Sequence, residues 1–64
     1  MLYAAFRSMQ AAEEYRKKQG GWIFLPDGEA SEPIWFSGAF SPSQIMLHRA
    51  TRGLSGSVLA GRLS

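Results

Sequence analysis

The chain has 64 residues, no cysteine, a single histidine and a formal net charge of +2, which excludes disulfides, thiolate metal sites and any multi-histidine site. It is one domain at most, and a domain of this size buries only about 60% of its unfolded surface. A composition of 45% hydrophobic, 12% aromatic and 19% charged residues is that of a globular chain rather than a disordered one.

Residues 2 to about 19 read as an amphipathic helix. Leu2, Ala5, Phe6, Met9 and Ala12 follow the spacing of one buried stripe. No proline or glycine interrupts them, and Arg16, Lys17 and Lys18 place positive charge in the last turn, where it suits the helix dipole. Gly20-Gly21 then supplies a left-handed stop.

Two short aromatic runs follow, Trp22-Ile23-Phe24-Leu25 and Ile34-Trp35-Phe36. Residues 22–25 and 34–37 read as strands of an antiparallel hairpin, joined by a polar loop that Pro26 and Pro33 bracket. A strand sends alternate side chains to opposite faces, so each run is apolar on both sides.

Ser41-Pro42-Ser43-Gln44 is a helix start: Ser41 as N-cap, Pro42 at N1 and Gln44 closing a capping box, with Phe40 and Ile45 as a hydrophobic staple. The helix is expected over residues 42–52, ending at Gly53. Its apolar residues are Ile45, Met46, Leu47 and Ala50, leaving His48, Arg49 and Arg52 as a mostly solvent-facing basic flank. In the glycine- and serine-rich tail, residues 57–60 read as a short third strand. The fold class expected is α+β, in the order α-β-β-α-β: a small antiparallel sheet packed with two helices.

The aromatic hairpin is the first candidate site. The candidate partner contacts are Trp22, Phe24, Trp35 and Phe36: if both helices lie on one face, Trp22 or Trp35 is left on the other as a binding hot spot, with Tyr3 and Tyr15 as half-exposed flanking contacts. If the helices cover opposite faces, the aromatics are core and binding must shift elsewhere. The second candidate is an anion or nucleic-acid contact through His48, Arg49, Arg52 and Arg62, because arginine's fork suits phosphate and carboxylate alike. A net charge of +2 gives little counterion release, so nucleic acid ranks second to protein as a partner. The loop carboxylates Asp27, Glu29 and Glu32 are too few for a calcium site and read as solvated.

One histidine and no cysteine leave no credible catalytic triad, and no cofactor or metal is expected. No apolar run approaches the length of a membrane span, and the first residues lack the pattern of a secretory signal, so a cytoplasmic protein with no membrane association is expected. The leading expectation is a non-enzymatic accessory protein of phage or prophage type that binds a larger protein or complex. An inhibitor of a host defence complex acting by surface occlusion, as an anti-CRISPR protein does, fits that description. The alternatives are a small nucleic-acid-binding regulator and a structural homo-oligomer or assembly component.

Overall fold

The structure, a computed structural model, describes residues 2–28 and 32–60. They form a four-stranded antiparallel sheet and two helices, in the chain order β1 (Tyr3–Ala5), α1 (Met9–Gln19), β2 (Trp22–Pro26), β3 (Ile34–Phe36), α2 (Pro42–Ala50) and β4 (Gly56–Ala60). The class is α+β as expected, with one strand added at the front.

That strand corrects the expected first helix. Residues 3–5 pair with β3 in the register Tyr3↔Phe36, Ala4↔Trp35 and Ala5↔Ile34. The helix begins only at Met9, where the Ser8 hydroxyl caps it by accepting the Ala11 N–H at 3.1 Å. It ends at Gly20, whose φ of 75° is the left-handed stop the glycine pair implies. The reason is tertiary: the apolar spacing over residues 2–12 also fits a strand followed by a helix, and pairing with the hairpin decides between them.

The second helix starts as its sequence dictates. Ser41 Oγ accepts the Gln44 N–H at 3.2 Å and Gln44 Oε1 accepts the Ser41 N–H at 2.7 Å, closing the capping box. The helix stops at Ala50, two residues short of the expected end, and a turn through Gly53 leads to β4. Strand β4 runs over Gly56–Ala60 beside β2, and Asp27 N–H extends the ladder to the Ser55 carbonyl at 2.9 Å. Gly56 lies so close to β2 that a Cβ there would run into the Leu25 carbonyl and lie 2.8 Å from the Phe24 ring.

The strand order is β1-β3-β2-β4. The registers put Tyr3, Phe36, Trp22, Phe24, Ile34 and Val58 on one face, and Ala4, Trp35, Ile23, Leu25 and Leu59 on the other. On the first face Phe24, Phe36 and Ile45 of α2 form a fully buried cluster, with Trp22, Ile34, Phe40 and Val58 packed around it. On the second, Ile23 and Trp35 are buried beneath α1, whose Ala12 has no solvent exposure. The helices therefore cover opposite faces, and the hairpin strands lie at the centre of a three-layer domain.

The connectivity explains this placement. Segments β1-α1-β2 and β3-α2-β4 each join parallel strands across an intervening strand. Both crossovers step in the same direction across the sheet, but their strands point in opposite directions. Crossovers of the same hand must then put their helices on opposite sides, and such connections are right-handed in about 98% of cases.

Candidate functional site

The two tryptophans anchor the helices. Trp35 donates its indole N–H to the Gly20 carbonyl at 2.7 Å, at the end of α1. Trp22, on the other face, donates to the Phe40 carbonyl at 2.9 Å, just before the α2 cap. Each thus fixes one terminus of the helix that covers its own face, and each polar N–H is satisfied as a buried indole requires. Gly21, with φ of 97°, allows the first approach, because a Cβ there would run into the Phe36 carbonyl and crowd the Trp35 indole nitrogen.

This geometry corrects the reading of the hairpin as a contact surface. Phe24, Trp35 and Phe36 are buried, and Trp22 is half-buried. Tyr15 packs edge-on against Trp35 with ring centroids 4.8 Å apart and lies 5.2 Å from Phe6, so it belongs to the α1 layer. Of the six aromatics considered for partner binding, only Tyr3 is exposed, at 42%.

The second correction concerns α2. Its inward stripe is Ile45, His48 and Arg49, the i, i+3 and i+4 positions. Arg49 is only 6% exposed. Its guanidinium lies over the Tyr3 ring at 5.5 Å and the Phe36 ring at 5.4 Å, while those rings stack on each other at 5.3 Å. Cation–π attraction and the long apolar stem make this position tolerable for a cation. Arg49 Nε and Nη2 both approach His48 Nδ1, at 3.2 and 3.0 Å. Arginine can only donate, so Nδ1 accepts and the neutral His48 carries its proton on Nε2.

The His48 ring also sits edge-on to Tyr3, Phe36 and Phe40, at 5.2, 5.6 and 6.3 Å. Loss of hydration, then the charges of Arg52 and Arg49, push its pKa below the ordinary 6.5. Arg52 remains exposed and closes the helix end, its Nη1 donating to the His48 carbonyl at 3.1 Å. Arg62 and Glu29 lie outside the described residues. The basic flank is therefore not a row of free cations: one arginine is interior, and a second is engaged with backbone. The Arg16–Glu13 salt bridge on α1 is long, at 3.9 Å, and Arg49 is held by His48 and the Tyr3 and Phe36 rings rather than by a described carboxylate.

With Arg49 turned inward, Leu47 and Met46 turn outward. Leu47 is 66% exposed and Met46 41%, and Leu54 just beyond the helix is also exposed. Ala50, one turn on from both, is exposed as well. Among the described residues the outer side of α2 thus presents an aliphatic patch. Its signal in the sequence was the i, i+3, i+4 set that begins at the stapled Ile45, which necessarily excludes residues 46 and 47.

Among the described residues, no helix is long and apolar enough to cross a membrane. Comparison with known proteins returns no match: no family model, no curated protein and no solved structure is significantly similar to this chain.

Proposed function

We propose that this chain is a small, non-enzymatic cytoplasmic protein that acts by binding a larger protein, with Met46, Leu47 and Leu54 as its contact surface. The observation that carries the reading is the outward placement of Leu47 on a helix whose inward stripe admits an arginine instead. Burial of one such side chain is worth about 1.5–3 kcal/mol, and a central aliphatic anchor with polar surroundings is a common form of contact surface. Ser43 and Thr51, both exposed, border the patch. Occlusion of a larger complex, as expected of an inhibitor of a host defence system, is one form such binding takes, and the identity of the captured partner decides it.

The experiment is capture of partners from a lysate of the native organism, with and without nuclease, by the wild-type chain and by Leu47→Glu. The expected result is one protein complex that survives nuclease and is lost with Leu47→Glu, whose melting temperature stays at the wild-type value. Loss of every partner after nuclease would support the nucleic-acid alternative instead. Sedimentation of both chains at several concentrations covers the remaining alternative: association that Leu47→Glu abolishes, with no captured partner, would make the patch a homo-oligomer interface.

A further inference from the structure

The open edge of β1 lies beside the buried Arg49. Leu2 accepts the Ser37 N–H at 2.9 Å and Phe6 donates to the Pro33 carbonyl at 2.9 Å, so the β1–β3 ladder runs over residues 2 to 6. In an antiparallel pair hydrogen-bonded residues alternate. Residues 2, 4 and 6 face β3, and Tyr3 and Ala5 direct their N–H and C=O groups to the outer edge of the sheet. That edge carries no proline or lysine to block pairing, and the side chains of Tyr3 and Ala5 are exposed.

We infer that this edge accepts an extended acidic segment of a partner protein as a fifth strand, with a carboxylate set beside Tyr3 against Arg49. An added strand lies about 4.8 Å from β1, and the side chain opposite Tyr3 lies on the same face of the sheet as Arg49, about 5 Å from Tyr3 between Cβ atoms. The Arg49 guanidinium, 5.5 Å above the Tyr3 ring, is within reach of a glutamate there. The acidic class follows from charge. Arg49 is a buried cation with no described carboxylate partner, and two of its five N–H donors point at His48 Nδ1. Arg52, exposed on the turn after Arg49, adds positive charge beside it, while Arg7 and the exposed Glu32 flank the last ladder pair, Phe6 and Pro33, from opposite strands and offset each other. Backbone pairing at a sheet edge with one specifying side-chain site is an established mode of peptide recognition. This inference concerns the sheet edge and stands independently of the α2 patch.

The test uses the whole, isotope-labelled chain and two probes, the acetylated and amidated peptides Thr-Val-Glu-Val-Thr and Thr-Val-Gln-Val-Thr. Amide shifts are followed by NMR. The expected result is saturable shifts at the Tyr3 and Ala5 amides, with the Glu peptide bound about tenfold more tightly, the difference expected of a charge-assisted hydrogen bond. Ala5→Pro removes only an outward-facing donor and should abolish binding of both peptides. Arg49→Met, which keeps an apolar stem over the two rings, should erase the Glu-over-Gln preference. If that variant fails to fold, the wild-type comparison decides. Equal affinity for the two peptides, no binding of either, unchanged binding by Ala5→Pro, or shifts confined to β4 or α2 would each overturn the inference.

Discussion

Arg49 and His48 show how a single helix position sets the chemistry around it. Arg49 fills a site over two aromatic rings that an aliphatic residue would ordinarily occupy, and it takes His48 Nδ1 as its hydrogen-bond acceptor. Protonating His48 would remove that acceptor and bring a third cation beside Arg49 and Arg52. Tyr3 is the other titratable group facing this ring. The folded-state pKa of His48 lies below the ordinary value of 6.5, so the unfolded chain binds the proton more readily. Stability from the neutral ring is then fully present above about pH 6.5 and falls as pH drops toward the folded-state pKa. Denaturation midpoints measured from pH 7.5 down to 5 should fall, and His48→Asn, which keeps an acceptor near the Nδ1 position, should flatten the profile. Because this is the chain's sole histidine, an unchanged slope in the variant would show that His48 is not the sensor.

At the scale of elements, the start of α1 is the point where sequence and structure part. Ser8 caps the helix at Ala11, so Ser8→Ala should destabilise the protein by about 1 kcal/mol. In one continuous helix from residue 2, Ser8 would be interior, and the better helix former alanine would stabilise it by a few tenths of a kcal/mol. The sign of the change in chemical denaturation therefore separates the two arrangements. The Ser41 capping box and the Gly20-Gly21 stop were readable because their signals are local, set by side chains within four residues of the helix ends. Strand β1 was not, because Tyr3-Ala4-Ala5 gains its conformation from β3, some thirty residues away. The candidate site divides in the same way. The aromatic runs were visible as strands, but their burial depends on which face each helix takes. The inward turn of Arg49 depends on Tyr3 and Phe36 arriving beneath it from two different strands.

At the scale of the whole molecule, two apolar layers share one sheet. Ile23 and Phe24 are adjacent in β2 and both fully buried, one beneath α1 and the other beneath α2, and Trp35 and Phe36 repeat this in β3. Neither layer can open without releasing strands the other needs. For a chain of 64 residues the total stability is roughly 3–10 kcal/mol, at about 0.05–0.15 kcal/mol per residue. That leaves little room for a half-folded state that gives up either layer. The tryptophans provide separate probes of this coupling, since Trp35 reports on the α1 layer and Trp22 on the α2 layer. Trp22→Phe and Trp35→Phe each lose one indole hydrogen bond, about 0.5–1.5 kcal/mol, and leave one fluorophore. In each variant the fluorescence transition in urea should coincide with the far-UV circular dichroism transition, as two-state unfolding requires. A Trp35 signal that moves at lower denaturant than the dichroism of the same variant would mean that α1 leaves first, and that the strands keep their order with one face uncovered.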